Sequence, residues 1–190
     1  MEKKVDIISM SFAMMESTTP LKTAVANAHA QGIVMLCSTH DEGPIGKQSY
    51  PADATETLGI MACDEYGKSL RSEEVKHDFL IQGRNVPAGV IPFLDSEDRV
   101  SGSSVATAIA AGLSSLITSC VRLANKDMLF EGVSRREVIE KFLKDMGSEQ
   151  KAKYLILERF ARIDKKTDVG ERPNAAVIIS NVFLESSWKS

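Results

Sequence analysis

The chain has 190 residues, enough for one domain with a sizeable core or for a core plus an appendage. Its 23 basic and 26 acidic residues give a formal net charge of -3, so we expect no nucleic-acid partner. No apolar run suggests a membrane span, and Met1–Lys4 lacks the apolar core of a secretory signal, so we expect no membrane partner. Three cysteines in apolar settings predict buried thiols and an intracellular, cytoplasmic location. No Cys or His spacing indicates a metal site, and we expect no cofactor.

The first part of the chain predicts a βαβ unit. Val5–Ser11 and Ile33–Ser38 are apolar runs typical of buried strands. Between them, Thr19 as N-cap and Pro20 in the first turn predict a helix that ends at Gly32. Strands joined by a crossover helix are parallel, so the sequence predicts an α/β fold with a parallel sheet.

The chain then continues through a long loop and further strands. Leu58–Asp64 and His77–Ile81 predict the next two strands, after the loop Thr39–Thr57. Ligands bind beyond the carboxyl ends of strands in open parallel sheets. For the first two strands, those ends lead into Ser11–Met14 and Thr39–Gly43.

Val100–Gly112 opens with small residues and runs into an apolar segment that reaches Leu123. It predicts a long, largely buried helix. A serine at its start is either a plain N-cap or a nucleophile, because free N–H groups and the helix dipole favour negative charge there.

Several segments together resemble the subtilisin-like serine proteases, or subtilases. Gly102–Gly112 reads GSSVATAIAAG, in register with the family's Gly-Thr-Ser-Met-Ala-x-Pro-x-Val-Ala-Gly. Val5–Phe12 resembles the strand leading into the substrate-binding segment, Ile33–Gly43 the strand ending in the oxyanion-hole loop, and Tyr50–Ala52 the Tyr-Pro-Ala that follows. The resemblance covers about Val5–Ile117.

This resemblance implies the C-terminal half of a subtilisin-like, three-layer catalytic domain that hydrolyses peptide or protein substrates. It places Ser104 at the nucleophile and Asp41 at the oxyanion-hole position. The implied substrate-binding residues are Ser11, Phe12, Ala13, Cys37, Ser38 and Thr39.

Departures from the family pattern bear on activity. The usual oxyanion-hole residue is an asparagine, whose amide donates, whereas an ionised Asp41 only accepts. His40 replaces a glycine in the same loop, and Ala108 and Ala110 replace a proline and a valine.

The resemblance also implies that the triad aspartate and histidine precede Val5, where only Met1–Lys4 lie. We therefore expect a truncated domain whose exposed apolar sheet edge is covered by an upstream segment or a partner. Of the histidines, His29 is expected at the surface or boundary, His77 in solvent, and His40 near enough to approach Ser104.

The remaining residues predict a separate, mostly helical extension. We place a partial peptidase domain at residues 1–125 and the extension at residues 126–190. Ser134–Glu137 is a capping-box pattern that opens a helix ending at Gly147. Lys151–Leu157 predicts a short helix or strand and Ala175–Ile179 a terminal strand, with Trp188 an anchor or an exposed tail residue.

Three functions fit the sequence. The first is a subtilase region that hydrolyses peptide bonds through Ser104. The second is an inactive remnant that binds peptides or proteins, and the third is an unrelated α/β binding domain with a coincidental Gly-Ser-Ser helix start.

Overall fold

The computed structural model describes residues 4–41, 49–69, 75–87, 99–123, 134–147 and 153–155. The chain divides into two compact units, Met1–Gly112 and Leu113–Ser190. The family resemblance lies almost wholly in the first unit.

The first unit contains a four-stranded, fully parallel sheet in the order β1-β2-β3-β4. Its strands are β1 (Ile7–Met10), β2 (Val34–Ser38), β3 (Leu58–Cys63) and β4 (Phe79–Gln82). Every residue of β2 and β3 is buried, as expected for central strands of a parallel sheet. The predicted α/β fold and its parallel sheet are confirmed.

Helix α1 (Thr19–Ala30) crosses from β1 to β2. Its N-cap is Thr18 rather than the predicted Thr19, and the cap makes no side-chain hydrogen bond, so the first-turn proline is the effective start signal. Gly32 follows the helix with φ of +72°, which confirms the predicted stop. The buried face of α1 contributes Val25 to a cluster that also contains Met10, Met35, Cys37 and Ala52.

The segment before β4 differs from the prediction at His77. The strand begins at Phe79, and the His77 side chain is buried rather than solvent-exposed. Its Nδ1 lies 2.7 Å from the carbonyl oxygen of Val75, and this polar contact makes burial tolerable for the ring.

After β4, the chain forms a two-stranded antiparallel ribbon of β5 (Val86–Pro87) and β6 (Arg99–Val100). The ribbon leads to helix α2 (Ser103–Leu123), which confirms the predicted long helix. Burial is not uniform along this largely apolar helix, since Leu116 is 48% exposed.

Helix α2 also corrects the expectation that no segment has membrane-span length. Its 20 residues Ser103–Arg122 have a mean hydropathy of 1.6 and are long and apolar enough to cross a membrane. The core helix of a soluble protein passes the same test, and 44% of this stretch is buried. Ser103 and Thr107, in its first turns, are both fully buried. The Ser103 hydroxyl accepts from the Ala62 amide of β3, and the Thr107 hydroxyl donates to the Ser103 carbonyl within the helix.

The second unit contains helix α3 (Arg135–Asp145). Its predicted capping box is present, because the Ser134 hydroxyl accepts from the Glu137 amide and the Glu137 carboxylate accepts from the Ser134 amide. The apolar face predicted for this helix is buried: Val138, Ile139, Phe142, Leu143 and Met146.

The structure tests only a small part of the other predictions for the C-terminal residues. Leu155 forms an isolated antiparallel bridge with Gly147, while most of the predicted element Lys151–Leu157 lies outside the described residues. Ala175–Ile179 and Trp188 lie outside them as well. The domain boundary at residue 125 stays a prediction.

Candidate functional site

An open cleft of about 250 Å³ lies where the chain leaves β1 and β2. Eight residues line it: Ser11, Phe12, Ala13, Ser38, Thr39, His40, Asp41 and Ser104. The carboxyl ends of neighbouring parallel strands meet at one edge of a sheet, which is why the two strand exits share this cleft. The structure therefore brings together segments that are up to 93 residues apart, since Ser11 Oγ is 3.4 Å from the backbone oxygen of Ser104.

Of the residues that the resemblance assigned to the site, Cys37 alone does not line the cleft. It is fully buried and packs in the cluster with Val25 and Met35. Successive side chains of a strand point to opposite faces, so Cys37 and Ser38 cannot both face the cleft. Burial raises the pKa of the Cys37 thiol to about 12, with a smaller opposing effect of a Thr57 hydrogen bond.

Ser104 occupies the first turn of α2, immediately after Gly102 and Ser103. It is exposed, whereas its neighbour Ser103 is fully buried. Gly102 has φ of +141°, a backbone conformation that residues other than glycine rarely adopt. A Cβ on Gly102 would lie 3.1 Å from Asp41 Oδ2 and 3.4 Å from Ser104 Oγ. This turn thus places the Ser104 hydroxyl and the Asp41 carboxylate close to one small residue.

The hydroxyl of Ser103 joins three segments around the site. It donates to Asp41 Oδ1 over 2.5 Å and accepts from Thr39 Oγ1 over 3.1 Å and from the Ala62 amide over 3.0 Å. A serine hydroxyl has one donor and two acceptor positions, so this buried group is fully satisfied. The contacts connect α2 with the loop after β2 and with β3.

The Asp41 carboxylate, predicted at the oxyanion-hole position, faces Ser103. Its Oδ2 accepts from the Ser103 amide over 2.6 Å, and its Oδ1 accepts from the Ser103 hydroxyl. A carboxylate is favoured here, because the first N–H groups of a helix have no intrahelical partner and the dipole is positive at that end. Asp41 therefore acts as an acceptor that caps α2.

Ser103 is the residue that the sequence prediction missed. Consecutive helical residues are about 100° apart around the axis, so of two adjacent serines one can face inward when the other faces outward. That periodicity was the available signal for a buried, bonded Ser103 beside an exposed Ser104.

The wall formed by Ser11–Ala13 is held in place just beyond the cleft. Met14 and Tyr50 form an antiparallel bridge, with N–O distances of 2.8 Å and 3.0 Å. The Tyr50–Pro51 peptide bond is cis, and the Thr57 hydroxyl donates to the Pro51 carbonyl. The two Met14–Tyr50 hydrogen bonds anchor the segment that follows β1.

The three histidines occupy different environments. His40 lines the cleft with Ser104, as expected, and His29 is exposed on α1. His77 is buried beside Val75 and does not line the cleft. Among the described residues, no three His, Cys, Asp or Glu side chains gather as a metal site would require.

Comparison with known proteins gives the family. The sequence profile of the subtilase family matches residues 1–144. The chain is 30% identical over 126 residues to the major intracellular serine protease of Bacillus subtilis, covering 62% of this chain and 38% of that protein. It is 27% identical over 118 residues to subtilisin DY of Bacillus licheniformis, covering 60% and 43%.

Solved structures show a similar fold. The self-cleaved protease domain of PatA aligns with a TM-score of 0.58 and 18% identity, covering 93% of this chain and 62% of that one. The prenylagaramide maturation protease PagA aligns with a TM-score of 0.58 and 18% identity, covering 80% and 59%.

The chain spans less than half the length of the two curated relatives named above. Even where the alignment extends over 97% of this chain, to the intracellular serine protease of Paenibacillus polymyxa at 25% identity, it covers 57% of that relative. The profile match nevertheless spans most of the 190 residues. On this match the chain belongs to the subtilase family, and the fold of the solved structures agrees with it.

Proposed function

We propose that this chain is the C-terminal, nucleophile-bearing part of a subtilase catalytic domain that hydrolyses peptide bonds. The observation that carries the proposal is the exposed Ser104, which lines the cleft at the strand exits from the first turn of α2. An attacking hydroxyl at a helix N-terminus lies beside N–H groups that stabilise the negative charge developing on the substrate.

An extended peptide is the substrate class that fits the cleft wall. Ser11–Ala13 continues β1 past its last sheet residue, and β1 is an edge strand among the described strands. Edge backbone groups pair with an added strand, and side-chain pockets then select the sequence. Phe12, which is 44% exposed, offers an apolar surface to such a peptide.

In the proposed reaction, Ser104 Oγ attacks the scissile carbonyl while its proton passes to a base and then to the departing amine. Water hydrolyses the resulting acyl-enzyme. The base and its orienting carboxylate are, in this proposal, a histidine and an aspartate of an upstream segment or a partner that packs beside β1, the edge strand of the described sheet. Among the described histidines, His40 lines the same cleft and is the alternative candidate for the base.

A second function, peptide binding without hydrolysis, is favoured by one specific observation. Both oxygens of Asp41 accept hydrogen bonds from Ser103, so the residue at the oxyanion-hole position offers no donor. An ionised carboxylate at that point disfavours the negative charge of a tetrahedral intermediate. A cleft with this electrostatics binds a neutral peptide better than it stabilises an oxyanion.

A paired assay separates these two functions. The intact protein is incubated with a quenched fluorescent peptide library to measure cleavage, and the peptides it retains are identified by mass spectrometry. The variant Ser104→Ala is compared with Ser115→Ala, which removes an exposed hydroxyl further along the same helix.

Cleavage that disappears in Ser104→Ala and persists in Ser115→Ala supports the peptidase. Peptide retention without cleavage, unchanged by Ser104→Ala, supports the binding function and refutes hydrolysis by this protein. Neither cleavage nor retention refutes both.

We also propose an intracellular location. Cys37, Cys63 and Cys120 are all buried and form no disulfide, which suits a reducing compartment. Subcellular fractionation of the tagged protein tests this, and recovery in the culture medium would refute it.

A further inference from the structure

The Asp41 side chain makes more hydrogen bonds to the start of α2 than the single bond that an ordinary helix cap makes. The two residues are 62 positions apart in the chain and share two hydrogen bonds, of 2.6 Å and 2.5 Å. Hydrogen bonds to an ionised acceptor are stronger than neutral ones, and two parallel bonds also fix orientation. The pair therefore fixes the geometry of the loop relative to the helix start.

The remaining contacts of Ser103 extend this link into the sheet. The Thr39 hydroxyl and the Ala62 amide both donate to Ser103 Oγ, which directs its single proton toward Asp41. The direction of each bond in the network is thus determined. On the other side, the Gly102 amide donates to the Gly83 carbonyl over 2.8 Å, so the turn that carries Ser104 is held at two successive residues.

We infer that Asp41 and Ser103 form a positioning pair that holds Ser104 at the cleft, and that Asp41 serves this pair instead of donating to an oxyanion. The inference rests on the proposed function for the role of Ser104. Asp41 is the acceptor that Ser103 requires, and an asparagine could not replace it fully. An asparagine side chain has an amide nitrogen, which is a donor, in place of one carboxylate oxygen, so in the same conformation the Asp41→Asn variant would face either the amide or the hydroxyl of Ser103 with a donor instead of an acceptor.

This pair explains why an acidic residue is tolerated beside a nucleophile. The positive end of α2 and two donors from Ser103 compensate the carboxylate locally. Oxyanion stabilisation in this cleft then depends on the Ser104 amide and on any donor supplied by a segment or partner that completes the site.

Amide hydrogen exchange, followed by NMR, tests the pair without requiring activity. The Ser103 amide is expected to exchange at least about tenfold faster in Asp41→Ala than in the wild type, as loss of a charge-assisted bond implies. Asp41→Asn, which keeps one acceptor, serves as a milder variant and should fall between them. Ser104→Ala should leave Ser103 protected. Equal protection in the wild type and in both Asp41 variants would overturn the inference.

Labelling by a fluorophosphonate tests positioning. Ser103→Ala should lower the maximal labelling rate of Ser104 by about tenfold with little change in the half-saturating probe concentration, and Ser103→Thr, which keeps the hydroxyl, should restore most of it. Thr23→Ala, which removes a hydroxyl bonded within α1, is the matched control and should label like the wild type.

Labelling of Ser103→Ala at the wild-type rate would overturn the positioning role. If wild-type Ser104 does not label at all, the positioning role and the proposed peptidase both fail, while a protected Ser103 amide would still support the cap. The two failures are therefore distinguishable.

Discussion

Gly83 packs against the turn that carries Ser104, and one added methyl group there should disturb the site. A Cβ at Gly83 would lie 2.9 Å from each of three atoms: the Cβ atoms of Ala62 and Ala106 and the carbonyl oxygen of Gly102. None of these can rotate away, because two are the first atoms of short side chains and the third is backbone. Gly83→Ala must therefore displace β3, α2 or the turn that precedes Ser104.

Overpacking of this kind costs about 1–3 kcal/mol. We expect a loss of that size in the free energy of unfolding, measured by urea titration. The turn should also move, because the Gly83 carbonyl accepts the Gly102 amide, so peptide binding or cleavage should fall more than stability alone explains.

Gly112→Ala is the matched control. A Cβ there meets no atom within 4 Å, and Gly112 lies inside α2, where alanine is favoured over glycine by about 1 kcal/mol. The two glycine-to-alanine changes should therefore shift the urea midpoint in opposite directions. A Gly83→Ala protein as stable as the wild type would refute the packing described around the site.

Three further predictions concern other parts of the molecule. Because burial raises the pKa of Cys37 to about 12, its thiol should resist iodoacetamide at mildly alkaline pH in the folded protein and react once denatured; peptide mapping that finds native Cys37 modified would contradict this. Ser134→Ala removes the capping box and should destabilise α3 by about 1 kcal/mol, measured by urea titration; an unchanged midpoint would count against the cap. The Ser134 backbone amide lowers the pKa of Glu137, so the stabilisation from Glu137 should be complete above the ordinary glutamate pKa and lost as pH falls through the lowered value, a dependence that Glu137→Gln should weaken in helicity measured against pH.

Apolar runs and helix signals predicted much of the fold. The βαβ unit, the buried strands β2 and β3 and the α3 capping box all follow from local residue patterns, and each is present. The prediction of a buried strand at Val5–Ser11 is wrong on burial: β1 forms, but of its residues only Met10 is buried, since β1 lies at the edge of the described sheet. The position of the cleft follows from parallel topology, since strand exits share one edge. These features depend on neighbours in sequence or on general rules of sheet assembly.

Other features depend on contacts that local sequence does not encode. A central strand is apolar on both faces, so its pattern did not reveal that Cys37 points away from the cleft while Ser38 lines it. The polar residues before β4 suggested an exposed His77, but tertiary packing buries it. The roles proposed for Ser104 and Asp41 rest on the family resemblance. The hydrogen bonds of Asp41 to Ser103 join residues 62 positions apart, so no local pattern predicted them.

Mass-spectrometric mapping of a fluorophosphonate adduct on the intact protein tests the central proposal most directly. We expect one adduct, on Ser104, that is absent from Ser104→Ala and unchanged in Ser115→Ala. An adduct on another serine, or equal labelling of Ser104→Ala and the wild type, would contradict the assignment of Ser104 as the nucleophile.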